Sequence, residues 1–202
     1  EPYRRQRQMC IRDSETGGLT IGFAGTDYDT FLANISNQKI SYAKFDSDYV
    51  AKYKEEGTDF DTVMADITEL FGLVPPAADQ EETEATMDSK DMHPESEDTG
   101  SLVLTQYEYD KLKAAYETTM SRTGEEEIGQ EEYLLYGSYE PLSVTVTHIL
   151  NNKSGINFAS YAHTGLPVAV FAQGNGQEQF EGYYDNTDIY NKMAELLSLI
   201  HI

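Results

Sequence analysis

Cysteine is almost missing from this chain of 202 residues: the single example is Cys10, near the start. One thiol rules out a disulfide framework and any thiolate metal cage. Positive charge is scarce as well, with 14 Lys and Arg against 36 Asp and Glu and a net charge of -22. So acidic a body repels phosphate backbones and anionic lipid headgroups, which argues against nucleic acid or a membrane surface as its partner. No apolar run approaches the roughly 20 residues that cross a bilayer, so no membrane span is expected. The basic N-terminus is not followed by the apolar stretch of a signal peptide. The length suits one ordinary domain or a large piece of a bigger one.

The basic residues are unevenly placed, since Arg4, Arg5, Arg7 and Arg12 all precede Glu15. "MCIRDS", Met9 to Ser14, reads as a translation of the transposase end element used in sequencing libraries, ATG TGT ATA AGA GAC AG plus one base. "LSLIHI", Leu197 to Ile202, reads as the same element from its other strand, CTG TCT CTT ATA CAC ATC. The two matches lead us to expect an adapter-derived leader over residues 1–14 and an adapter-derived tail over 197–202, as arise in metagenomic assembly. Native text is then expected over 15–196.

Within that text the patterning is mixed α and β. "GGLTIGFAG", Gly17 to Gly25, alternates Leu19, Ile21 and Phe23 and predicts a short strand. "FDTVMADITELFGLVPP" sets Phe60, Val63, Met64, Ile67, Leu70 and Phe71 at helical spacing, with Gly72 as the stop. "TQYEYDKLKAAYETTM" begins with Thr105 and Glu108 in capping-box positions and carries Tyr109, Leu112 and Tyr116 on one stripe, so a second helix is predicted. The acidic stretch between them, Ala77 to Ser101, has almost no apolar bulk and is expected to be a solvated loop, without the ligand spacing of a calcium loop.

"LSVTVTHILNNKSG" admits two readings. Val144, Val146 and His148 alternate as in a strand, whereas Leu142, Val146, Ile149 and Leu150 fit a helix that Gly155 would end; the helix is the reading adopted. "INFAS" (156–160), "PVAVFAQG" (167–174) and "FEGYY" (180–184) then predict three short strands. A last helix is predicted over "DNTDIYNKMAEL", capped by Asn186 or Thr187, with Ile189, Met193 and Leu196 inward.

Histidine is the scarce residue that bears on chemistry. His201 lies in the tail, His93 in the acidic loop, and His148 beside apolar helix positions, where a structural imidazole is expected. His163, in "AHTGLPVAVFAQG", sits on a loop between strand-like runs, where a scaffold holds site residues. Taken alone, a loop histidine beside Thr164 and Gly165 carries little.

"ETGGLTIGF", "HTGLPVAVFAQG" and "FEGYYDNTDIYNKM", in that order, resemble the C-terminal part of the alkaline phosphatases, metal-dependent phosphomonoesterases. The resemblance is continuous over Leu142 to Leu196; residues from about 26 to 141 resemble a variable insertion of that family. It implies an α/β fold, a partial three-layer sandwich with a mostly parallel sheet and flanking helices. It also implies a binuclear zinc site with magnesium nearby, small phosphate monoesters as substrates, a homodimeric parent, and a periplasmic or extracellular location. By this resemblance His163 is a zinc ligand of the "HTG" motif, and Asp13 stands where the family has the aspartate of an Asp-His pair on the other zinc. Ser14 replaces the histidine of that pair, and an imidazole donor cannot be replaced by a hydroxyl; both positions are encoded by the leader.

The serine nucleophile, the phosphate-binding arginine and most metal ligands of the family have no counterpart in this sequence. The expectation is therefore a catalytically inactive fragment with uncovered strand edges and poor solubility. Two other readings stay open: a phosphodiesterase or sulfatase of the same superfamily, and a non-catalytic acidic binding module built on residues 26–141.

Overall fold

The helix over Phe60–Phe71 (α3) shows how this chain builds structure. Asp59 caps it by accepting from the Thr62 N–H at 3.1 Å, and Gly72 ends it in the left-handed conformation, φ 76°. Between the caps all six apolar positions of the predicted stripe are buried. Each such side chain contributes about 1.5–3 kcal/mol on leaving water.

The computed structural model describes residues 17–26, 29–77, 101–123 and 128–197. They divide between two compact units, one within residues 19–159 and one of residues 17–18 with 160–197. The positions of Asp13, Ser14 and His93, and nearly all of the acidic stretch 77–101, lie outside the described residues.

In the larger unit, β1 (Leu19–Ile21) precedes a helical rod made of α1 (Tyr42–Phe45), a π turn (Asp46–Val50) and α2 (Ala51–Glu56). After α3 come α4 (Gln106–Ser121), α5 (Gln130–Tyr136), α6 (Pro141–Lys153) and β2 (Ile156–Phe158). The α4 capping box is present as predicted, with the Thr105 hydroxyl accepting from the Glu108 N–H and the Glu108 carboxylate accepting from the Thr105 N–H. Leu112 is fully buried, and Tyr109 and Tyr116 pack on the core.

The ambiguous "LSVTVTHILNNKSG" is a helix. Residues 141 to 146 of α6 are all buried, with Ile149 and Leu150, so apolar side chains occur all round it. A helix enclosed on every side has no polar face to display a 3.6-residue period, which is why its sequence also reads as alternation. The Thr119 hydroxyl accepts from the Leu142 N–H at 3.0 Å, satisfying one of the donors that a helix start leaves unpaired. Gly155, φ 75°, turns the chain into β2 directly against Thr30.

β1 and β2 pair antiparallel, Leu19 opposite Phe158 and Ile21 opposite Ile156. A parallel contact joins Val74 to Val103, tying together the two ends of the acidic stretch. Among the described residues the sheet is thus a two-stranded antiparallel ribbon, in place of the mostly parallel sheet expected. β1 is exposed throughout, and the core is made mainly by helices, with Leu73 and Leu104 added from the segments after α3 and before α4.

The smaller unit contains a 3-10 turn (Gln177–Phe180) and α7 (Asn186–Leu196). The cap of α7 is Asp185 rather than Asn186 or Thr187, one residue early, with a full capping box to Asp188. Ile189 is buried as expected and Met193 partly so, but Leu196 is 39% exposed and Ala194 takes the inward place. The strands predicted at 167–174 and 180–184 are not formed. A strand exists only when another backbone meets its N–H and C=O groups. Among the described residues no second strand pairs with either stretch, and the aromatic side chains of Phe171 and Tyr183 stand 86% and 98% exposed.

Candidate functional site

His163 lies on an irregular segment that follows β2 in sequence. The Ser160 N–H donates to the Gly17 carbonyl at 3.0 Å, and the Ser160 hydroxyl accepts from the Ala162 N–H at 3.0 Å, which shapes the turn just before the imidazole. The His163 side chain is exposed. Immediately after it, Thr164 to Ala172 form one wall of a groove of about 800 Å³ whose other wall includes Phe180, Tyr184 and Ile189. Lys192 of α7 braces Tyr184 of that wall, its ammonium 4.3 Å above the Tyr184 ring and donating to the Gln179 carbonyl at 2.7 Å.

A metal centre needs several donors converging on one point, and a catalytic zinc takes three from protein. Among the described residues no group of three or more His, Cys, Asp or Glu side chains converges in that way. The described residues therefore do not by themselves form a zinc or magnesium centre, and among them His163 is an exposed imidazole outside any such group.

His148 is part-buried on α6; burial, and then the charge of Lys111, hold its imidazole below the ordinary value, in keeping with the structural role expected of it. Sequence reading did not single out two polar arrangements of the larger unit. The Tyr53 hydroxyl donates to the Asp66 carboxylate at 2.7 Å, and burial followed by that bond pushes the phenol well above its usual range. Asp46, Ser143, Lys54 and Glu140 meet where the helical rod packs on the start of α6. Neither shows in the sequence, because the partners are 13 residues apart in the first case and 86 and 97 in the second.

Comparison with known families matches residues 48–199 to a model described as alkaline phosphatase. The chain belongs to the alkaline phosphatase family. The matched range includes His163 and the groove, and it takes in much of the segment read as an insertion. Among curated proteins, alkaline phosphatase 4 of Bacillus subtilis (strain 168) is 38% identical over 55 residues, which are 27% of this chain and 12% of that protein. Among solved structures, a cold-active alkaline phosphatase from a psychrophilic Shewanella species superposes with a TM-score of 0.53 at 22% identity, covering 92% of this chain and 32% of that one. The fold is therefore α/β and partially alkaline-phosphatase-like, and the chain spans about a third or less of these alkaline phosphatases.

Proposed function

We propose that this chain is the C-terminal part of an alkaline phosphatase that hydrolyses small phosphate monoesters. The match of residues 48–199 to the family supports this reading most directly. In the proposed parent, a binuclear zinc site with magnesium nearby and a serine nucleophile are completed by polypeptide outside these residues. His163 contributes a single imidazole, and Asp13 marks the place of a second donor. We further propose a periplasmic or extracellular setting and a homodimeric parent.

What the chain's own residues supply is limited. One exposed imidazole can present a donor atom, but it cannot by itself orient a phosphoryl group or exclude water from it. The chain alone is therefore expected to be inactive. The test is hydrolysis of p-nitrophenyl phosphate with zinc and magnesium added. The isolated chain should match the buffer control, whereas the protein carrying its natural upstream sequence should turn over. In that longer protein His163→Ala should lower zinc affinity and rate by at least the roughly 10–100-fold that outer-shell partners of a metal cost, with bound zinc falling below the wild-type content. Turnover by the isolated chain, or unchanged zinc and rate in H163A, would exclude the proposed role.

A further inference from the structure

The π turn in the first long helix aligns two side chains that an α-helix would separate. Asp46 and Lys54 are eight residues apart, which in an unbroken α-helix displaces them by roughly 80° around the axis. A π turn takes up about one extra residue, so two turns of the rod hold about eight residues and both side chains reach the same side. On that side both reach residues at the start of α6. There the Ser143 hydroxyl donates to the Asp46 carboxylate, and the Lys54 ammonium donates to Glu140 at 3.0 Å.

Charge at this junction does not balance. Two carboxylates, Asp46 and Glu140, are served by one ammonium, and the other Glu140 oxygen is buried with no hydrogen-bond partner among the described residues. The Lys54 and Glu140 side chains are 30% and 19% exposed, so water screens the pair only in part. A partly buried site with an uncompensated negative charge takes up a proton.

We propose that Asp46 takes up a proton at this junction and so forms a proton-operated latch fixing the 42–56 rod on α6: tight when the proton is bound, loosened when it has left to solvent and Asp46 is ionised. The charged groups that face Asp46 are Glu140, the residue just before α6, and Lys54, from its own rod; Ser143 is the neutral partner. Burial, then the Glu140 charge, raise the Asp46 carboxyl above its usual value, against the Ser143 hydrogen bond and Lys54, which lower it. Because the folded state binds this proton more tightly than the unfolded chain, the stabilisation is complete below the unfolded value and is lost as pH rises through the folded one. The latch is independent of the phosphatase reading, and hydrolysis plays no part in its test.

The test uses the full chain, with the Asp46 carboxyl followed by carbon-13 NMR and melting temperature recorded against pH. The Asp46 midpoint is expected above the ordinary carboxylate value, moving down in Glu140→Gln and up in Lys54→Met. Asp46→Asn, which imitates the protonated form, should match the wild-type melting temperature at low pH and exceed it by a growing margin as pH rises. A midpoint that ignores both E140Q and K54M would overturn the proposal. Parallel melting-temperature profiles for D46N and wild type would overturn it equally, since a purely structural contact shifts stability by the same amount at every pH.

Discussion

The two units of this chain handle their backbones differently. In residues 19–159 most of the described chain is helix, and each helix closes its own N–H to C=O bonds within a few residues. In the smaller unit, residues 161–176 and 181–185 run without helix or strand, although their side chains alternate as strand residues do. A sequence with strand propensity becomes a strand only when a second backbone arrives; a capped amphipathic helix needs only a surface on which to lay its apolar stripe. The same contrast separates Phe71, fully buried among Phe45 and the core, from Phe171, 86% exposed.

Substituting those two phenylalanines is the sharpest way to break the comparison. Phe71→Ala should cost about 3–5 kcal/mol through lost burial and the cavity left behind, measured by urea unfolding of the larger unit. Phe171→Ala should lie within about 0.5 kcal/mol of wild type in the same experiment. Comparable losses at both sites would mean that the smaller unit has a core as complete as that of its neighbour.

A smaller effect is expected at Gly155. Its φ of 75° strains any L side chain, and an added Cβ would stand 2.9 Å from the Thr30 Cα and 3.0 Å from the Asp29 carbonyl oxygen. Gly155→Ala should therefore destabilise by about 1–3 kcal/mol, with faster amide exchange at β1 and β2 as its local signature. At Thr105, which caps α4, substitution by alanine should cost about 1 kcal/mol and raise exchange in the first turn of that helix.

The smallest effect is a pH dependence at the Asp59 cap of α3. Hydrogen bonds from the Thr62 backbone N–H and then from its hydroxyl hold this exposed carboxyl below the ordinary value of 3.8. A folded value below the unfolded one gives stability that is present above the unfolded value and lost as pH falls through the folded one. The acid limb of the stability profile should therefore be shallower in Asp59→Asn than in wild type. Asp46 slopes the opposite way, so D59N and D46N should change opposite limbs.

How far the sequence carried depends on the range of the interactions involved. Gly72 and the stripe from Phe60 to Phe71 lie within 13 residues of one another, and that helix is legible from its stop and its period; the Asp59 cap was not singled out. Thr105 with Glu108 marked α4 for the same reason. The "HTG" motif drew attention to His163, but its ligand set was not legible. A metal cage joins side chains from distant segments, and the described residues bring no such group together. The readings at 167–174 and 180–184 failed on the identity of a partner, which alternation cannot encode. At α7 the error was one residue, because Asp185, Asn186 and Thr187 are all competent caps and only the backbone shows which of them leaves the helix.

Short-range chemistry in the sequence determined where α3, α4, α6 and α7 form, since caps and apolar spacing act within a few turns. Tertiary structure alone decided that α6 is enclosed on every side, that the sheet is an antiparallel pair, and that Asp46 and Lys54 converge on one end of α6 across a π turn. Those outcomes turn on which surfaces meet, and the contact between residues 46 and 143 spans 97 positions of chain. No local pattern carries information over that distance.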